Sequence, residues 1–215
     1  MIDITNPIIE EYIAAYSSEE SNLLKQVNRE TYAEVLMPRM LSGHYQGRVL
    51  SMLSYMIRPK RILEIGTFTG YSALCLAEGM PEGAEMITVD INEELEERVR
   101  AYFTQSDKSS AITYLIGDAT KVVAALEGEF DMVFIDADKH NYLTYYKLVF
   151  DKIPHGGFIL VDNTLWNGKV VIPEIVSKDK DTKNIHDFND FISKDIRVDK
   201  VILPVRDGIT VIRKK

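Results

Sequence analysis

The sequence predicts an α/β protein: a mostly parallel sheet with helices on both faces, an antiparallel edge and a helical N-terminal stretch. Three observations predict it. From Arg61 onward, five short apolar runs alternate with longer amphipathic segments. Near the C-terminus, two apolar runs flank an Asp-Gly pair. Before residue 60, apolar residues recur at helical rather than strand spacing.

The elements follow in order. Ile8, Ile9, Tyr12, Ile13 and Tyr16 mark a first helix. Leu23, Leu24, Val27 and Tyr32 mark a second, and Val49, Leu50, Leu53 and Ile57 a third that Pro59 ends. Residues 1 to about 60 thus read as helical throughout. The apolar runs 62–65, 86–89, 112–116, 132–135 and 158–161 then read as strands. Amphipathic segments near 71–78, 93–104, 121–126 and 142–152 read as the helices between them. Buried-type strands joined by crossover helices make a parallel sheet. In the tail, 198–205 and 209–212 flank Arg206-Asp207-Gly208, a hairpin signal.

Composition narrows the function classes. The chain has 215 residues, 46% hydrophobic and 27% charged, so it can bury a core as one ordinary domain. Acidic residues outnumber basic ones, 33 to 25, for a net charge of −8. Such a chain is a poor passive binder of nucleic acid or membrane, which need a positive face. The opening residues 1–7 lack the basic and apolar regions of a secretory leader. No apolar run approaches the ~20 residues of a membrane span. Cys75, the one cysteine, can make neither an internal disulfide nor a cysteine zinc cage. A protein of a reducing compartment, the cytoplasm, is expected.

Open α/β sheets bind ligands beyond the carboxyl ends of their strands. The polar residues at those ends are Glu64 to Gly70, Asp90, Gly117-Asp118, Asp136 to Lys139 and Asp162-Asn163. In the first turn, Gly66 and Gly70 let backbone approach a ligand. The Gly-x-x-x-Gly spacing is not the dinucleotide fingerprint, which speaks against a nicotinamide dehydrogenase. A carboxylate at Glu64 repels phosphate and suits an ammonium group. Asp90, 26 residues on, can accept ribose hydroxyls or cap the next helix, a role Asn92 fills as well. A ribose, a cation and no phosphate describe S-adenosylmethionine.

Asp136, Asp138, Asp162 and Asn163 form a second constellation. Its hard oxygens suit Mg²⁺, Mn²⁺ or Ca²⁺ rather than zinc or copper. A divalent cation with open positions can hold two vicinal oxygens of a substrate and ease their ionisation. The bland alternative is that these carboxylates cap helices or bridge Lys139 and Lys169. Lys139, beside such a cation, is a candidate general base. His140 reads as a surface residue. Trp166 and Asn167 lie in the loop after the fifth strand, where a tryptophan can wall a substrate pocket or plug the core.

Three segments resemble the cation-dependent O-methyltransferases, the caffeoyl-CoA and catechol O-methyltransferase relatives of bacterial type. They are Glu-Ile-Gly-Thr-Phe-Thr-Gly-Tyr-Ser-Ala-Leu from Glu64, Phe-Ile-Asp-Ala-Asp-Lys-His-Asn-Tyr from Phe134 and Asp-Asn-Thr-Leu-Trp-Asn-Gly from Asp162. The tail from Leu203 to Thr210 is similar too, and the resemblance runs from about Leu23 to the end. It implies the Rossmann-like class I methyltransferase fold of seven strands, the last antiparallel. It also implies one domain, with 1–58 as a helical cap and 59–215 as the cofactor-binding core, and a homodimer.

Site roles implied by the resemblance are these. Met40, Ser42 and Ser72 would lie at the methionine end of S-adenosylmethionine, and Glu64 would take its ammonium group. Gly66 and Thr67 would form the turn beneath it. Asp90 would hold the ribose, with Ile91, Asp118 and Ala119 around the adenine. Asp136, Asp162 and Asn163 would ligate the divalent cation, with Asp138 supporting the cofactor side. Lys139 would be the base, with Trp166 and Asn167 toward a small phenolic, catechol-like or hydroxycinnamoyl acceptor. One departure is Ser42-Gly43-His44-Tyr45-Gln46-Gly47, which replaces the family's Ser-Pro-Glu-Gln-Gly pattern at the start of the third helix. The substrate-binding lysine of the plant enzymes has no counterpart. Two rivals stand beside this reading. One is a family member that methylates a hydroxylated uridine of tRNA, for which Lys60-Arg61 and Arg213-Lys214-Lys215 are the basic clusters. The other is a non-enzymatic nucleoside-binding domain.

Overall fold

The computed structural model describes residues 7–215; Met1–Asn6, most of the segment where no leader is expected, lies outside them. Two compact units divide the described chain, Pro7–Ala119 and Thr120–Lys215.

The first unit opens with helices α1 (Pro7–Ala15), α2 (Asn22–Glu34) and α3 (Gly43–Ile57). The expected continuous helical stretch is broken at 16–21 and 35–42. Ser21 caps α2 by accepting from the Leu24 N–H at 3.2 Å, and Met37 takes a left-handed φ of 59° after α2 ends. No residue of the first apolar stripe is buried and the other two are buried only in part: Leu24, Val27 and Leu50 face the core, whereas Ile8, Ile9, Tyr12, Tyr16 and Tyr32 are exposed. Tyr12 and Tyr16 stack on each other at 4.4 Å.

Strands β1 (Arg61–Ile65), β2 (Glu85–Asp90) and β3 (Ile112–Ile116) then pair in parallel in the order β3-β2-β1. Helix α4 (Tyr71–Glu78) connects β1 to β2 and α5 (Glu96–Thr104) connects β2 to β3. Tyr71 to Ala77 is buried without interruption, so α4 is an inner helix rather than an amphipathic one. Cys75 is free there, and burial holds its thiol above the usual range. Bidentate Arg48–Glu78, at 2.9 and 3.0 Å, ties α3 to α4. The approach is close: a side chain at Gly79 would meet the backbone of Ser54 and Tyr55 at 2.3 Å.

The second unit holds β4 (Met132–Ile135) and β5 (Phe158–Val161), parallel and almost wholly buried, as continuous apolar runs require. Helices α6 (Ala119–Ala125), which begins one residue before the boundary, α7 (Tyr142–Phe150), α8 (Pro173–Val176) and α9 (Lys180–Lys194) accompany them. The tail forms the expected antiparallel hairpin of β6 (Val198–Leu203) and β7 (Ile209–Lys214). The antiparallel strand is β7, which also pairs with β5, leaving β6 outermost of the four. Burial explains the order: Ile209, Thr210 and Ile212 are buried, while β6 exposes 199–202. The hairpin connection runs over 204–208 rather than the expected 206–208, with Arg206 at φ 47° and Gly208 at 88°. Helix α9 escaped the sequence reading. Its signal was present in Asp179, whose side chain caps the helix at the Thr182 N–H, and in the helical spacing of buried Ile185, Phe188 and Ile192.

A polar knot around buried Asp195 and Tyr146 joins α7 to the segment before β6. The Arg197 guanidinium donates to both oxygens of Asp195, at 2.9 and 2.6 Å, and lies 3.8 Å over the Phe150 ring. The Tyr146 hydroxyl donates to Asp195 at 3.0 Å. Arg197 holds the Asp195 carboxyl well below the usual carboxylate range. A carboxyl so depressed stabilises the fold above its unfolded value, near about pH 4, and loses that contribution as pH falls toward its folded value. Asp195→Asn should therefore cost about 1–3 kcal/mol at pH 7 and flatten the decline of stability below about pH 4. Urea titrations of both proteins from neutral to acid pH measure this.

Candidate active site

At the β1 exit, Glu64 is fully buried. A carboxylate removed from water needs hydrogen-bond partners. The parallel register sets Glu64 opposite Thr88 of β2, whose hydroxyl donates to Glu64 Oε2 at 2.5 Å. Thr67 Oγ1 lies 2.6 Å from the Thr88 hydroxyl. Because Thr88 spends its one hydrogen on Glu64, Thr67 is the donor. A short chain of hydroxyls thus fixes the carboxylate.

The turn after β1 has left-handed backbone at Gly66 (φ 101°), Phe68 (48°) and Gly70 (81°). A side chain at Gly70 would meet the Phe103 ring at 2.8 Å. Asp90 braces this turn: its Oδ2 accepts from the Thr67 N–H at 2.9 Å and the Phe68 N–H at 2.7 Å. Its Oδ1 accepts from the Asn92 N–H at 2.9 Å. About one of four acceptor positions is left for a ligand hydroxyl. The helix cap falls to Asn92, which accepts from the Glu94 N–H at 3.0 Å.

The structure therefore brings Glu64, Gly66, Thr67 and Asp90 together in one network. Ser42, before α3, and Ser72, in the first turn of α4, are buried; Met40 and Ile91 are exposed. Asp118 and Ala119, past the β3 exit, are half-buried. The departing Ser-Gly-His-Tyr-Gln-Gly segment still starts α3 at Gly43, and a side chain at Gly47 would meet Tyr71 at 2.7 Å.

In the second unit, Asp136 leaves β4 and Asp162-Asn163 leaves β5. Lys139 occupies the short turn before α7, and its Nζ donates to Asp136 Oδ1 at 3.1 Å and Asn163 Oδ1 at 2.5 Å. A third bond goes to the Tyr142 hydroxyl at 2.7 Å. That hydroxyl passes its own proton to the Asp162 carbonyl at 3.1 Å. Burial holds the Tyr142 phenol well above its ordinary value, so it remains a donor at neutral pH. Asp162 is 3% exposed and accepts the Asn163 N–H at 2.7 Å through Oδ1.

Asp136, Lys139 and Asn163 are thus brought together, with Asp162 one residue away. Asp136 bridges Lys139, as the bland alternative had it, but Lys169 pairs with Asp179 at 3.9 Å instead. Asp138 is exposed, and its described partners are Tyr145 and His140. Sequence reasoning missed Tyr142 and Thr88. Tyr142 lies one helical turn beyond Lys139, a weak signal; Thr88 had none.

The loop after β5 carries four residues with left-handed φ: Asn163 (58°), Trp166 (47°), Asn167 (53°) and Gly168 (71°). Such a run persists only where surroundings hold it. The β6–β7 connection does so. The Leu165 and Trp166 N–H groups donate to the Asp207 carbonyl at 2.7 and 3.3 Å, and the Thr164 N–H donates to the Gly208 carbonyl at 3.1 Å. Trp166 is half-buried, with Lys139 Nζ 5.8 Å and Lys169 Nζ 5.7 Å from its ring. Its indole nitrogen is buried with no hydrogen-bond partner among the described residues. Asn167 is exposed.

Both donor sets suit the groups that the sequence suggests. Residues 64–72 contain no lysine or arginine to favour a phosphate, and Glu64 is an acceptor-only group for an ammonium. Asp136 Oδ1 and Asn163 Oδ1 already converge on a positive charge, the Lys139 ammonium. Among the described residues no three His, Cys, Asp or Glu side chains converge as a metal cluster; this set is two carboxylates and an amide.

Comparison with known proteins places the chain. The O-methyltransferase family profile matches residues 14–215. Caffeoyl-CoA O-methyltransferase of Stellaria longipes is 33% identical over 204 residues, covering 91% of this chain and 84% of the relative. That of Medicago sativa is 36% identical over 205 residues, covering 91% and 83%. Among solved structures, an SAH-bound methyltransferase of Podospora anserina superposes with a TM-score of 0.89 at 29% identity, covering 97% of this chain and 94% of that one. An O-methyltransferase of Bacillus cereus in complex with SAH gives 0.88 at 25% identity, with 97% of both chains covered. The fold is the Rossmann-like methyltransferase α/β fold with an antiparallel C-terminal hairpin. The chain belongs to the O-methyltransferase family that its motifs resemble, and is an S-adenosylmethionine-dependent O-methyltransferase.

Proposed function

We propose that the protein methylates one hydroxyl of a small vicinal diol on an aromatic ring, a catechol-like or hydroxycinnamoyl acceptor, with the help of a divalent cation. The observation that carries this reading is the convergence of Asp136 and Asn163 on the Lys139 ammonium. S-adenosylmethionine, when bound, supplies an electrophilic methyl group on sulfur, and a divalent cation supplies the positive charge against which a hydroxyl ionises.

The chain's residues do the rest. Glu64, fixed by Thr88, accepts the ammonium of the donor, and Asp90 Oδ1 accepts a ribose hydroxyl. Ser42, Ser72 and Met40 lie toward the methionine end, and Ile91, Asp118 and Ala119 toward the adenine. Asp136, Asp162 and Asn163 hold the cation, Mg²⁺ by its preference for hard oxygens, with Mn²⁺ and Ca²⁺ as alternatives. Asp138, through Tyr145 and His140, steadies the turn that carries Lys139. Lys139, in its neutral amine form with its own proton released to solvent, takes the acceptor's proton at Nζ beside the Tyr142 hydroxyl. Trp166 and Asn167 flank the acceptor ring. Orientation and charge complementarity do most of the catalytic work.

The basic clusters weigh against an RNA acceptor. Arg61 pairs with Glu85 at 2.5 Å, and Arg213 and Lys215 share Asp199 at 3.6 and 3.7 Å. Lys214 donates to the carbonyls of Phe150 and Ile153. No helix among the described residues is long and apolar enough to cross a membrane. Exposed Ile8, Ile9 and Tyr12 on α1 and Met52, Tyr55 and Met56 on α3 support a homodimer.

Three outcomes test the reading. EDTA, or Asp162→Ala, should abolish methyl transfer to catechols while calorimetric binding of S-adenosylmethionine persists, and Mg²⁺ should restore the EDTA-treated enzyme; full turnover in EDTA refutes the cation role. Lys139→Ala should lower kcat by about 10²–10⁴-fold and leave donor affinity within a few-fold. Thr88→Val should weaken donor binding about tenfold by leaving buried Glu64 without its hydroxyl, and Thr88→Ser should restore it.

A further inference from the structure

The cationic surroundings of Trp166 exceed what transfer to a neutral catechol requires. Lys139 Nζ, 5.8 Å from the indole, belongs to the Asp136–Asn163 group and lies at the reacting end. Lys169 Nζ stands 5.7 Å from the same ring, on the chain beyond the left-handed Asn167-Gly168 pair. Its one described counter-charge is Asp179 Oδ2 at 3.9 Å, the long end of an ion pair, with the lysine side chain 31% exposed. The other Asp179 oxygen is spent on capping α9 through the Thr182 N–H at 3.0 Å. The positive charge is therefore weakly compensated and open to solvent. Beside it the Trp166 indole N–H is buried with no partner among the described residues. The aromatic wall thus carries an under-paired ammonium open to solvent, and an anion with acceptor oxygens is the chemistry that answers it.

We infer that Lys169 is a specificity-determining residue that selects acceptors bearing a carboxylate at the far side of the ring from the reacting hydroxyls, as in 3,4-dihydroxybenzoate or 3,4-dihydroxycinnamate. The inference rests on the proposed catechol-type acceptor and extends it to the substituent. Lys169 touches the tail and takes no part in proton or methyl transfer.

The test compares 3,4-dihydroxycinnamate with its methyl ester, which has the same ring and reach without the charge. Trp166 is the chain's one tryptophan, so its fluorescence reports binding at this wall independently of turnover. The wild-type protein should bind the free acid about tenfold or more tighter than the ester, and kcat/KM should show the same preference. Lys169→Glu should erase or invert the preference, and Lys169→Arg should keep it. Raised salt should weaken the acid more than the ester, because the charge is exposed. A free-acid-to-ester ratio near one in the wild type, or one that survives Lys169→Glu, overturns the inference while leaving the catechol reading intact. Failure to methylate either compound overturns both.

Discussion

The site depends on one constraint: a carboxylate taken out of water at a strand exit must find donors. Glu64 answers it with a threonine supplied by the neighbouring strand, and that threonine is itself held by Thr67 of the turn. Asp90 answers it with the backbone of the same turn, so the residue read as a ligand group is also the brace that keeps the glycine turn in shape. Ligand contact and turn geometry are therefore coupled. A substitution at Asp90 would disturb the turn as well as remove a ligand acceptor, and the two effects would be hard to separate by affinity alone.

In the second unit the same demand is met by a cation. Lys139 collects oxygens from the exits of two paired strands, and Tyr142 fixes its approach from the buried side. Such an arrangement is a ready receptor for positive charge. The geometry makes Asp136 and Asn163 partners of an ammonium, and their oxygens are of the hard kind that divalent ions prefer.

Support from afar maintains the β5 loop. Four left-handed residues in six positions would not persist in a free segment. They are held by carbonyls of the β6–β7 connection, where Gly208 passes so close to Leu165 that a side chain would meet it at 2.5 Å. This accounts for a five-residue hairpin connection where three residues, Arg206-Asp207-Gly208, were expected: its carbonyls serve the loop opposite.

The sequence by itself determined the strands, most of the helices and the residues at the strand exits, because apolar runs, helical spacing and glycine turns are local properties carried by neighbouring residues. Its motifs also led to the O-methyltransferase family. Only the tertiary structure decided which group each exit residue meets. Thr88 reaches Glu64 through strand register, Asn163 reaches Lys139 across a chain separation of 24, and Asp207 meets Trp166 from the tail. Tertiary packing also turned much of the N-terminal apolar stripe outward, since periodicity marks a face without saying what covers it. Placing β7 between β5 and β6 was likewise a matter of burial across strands. Those outcomes depend on contacts between residues far apart in the chain, which no window of sequence encodes.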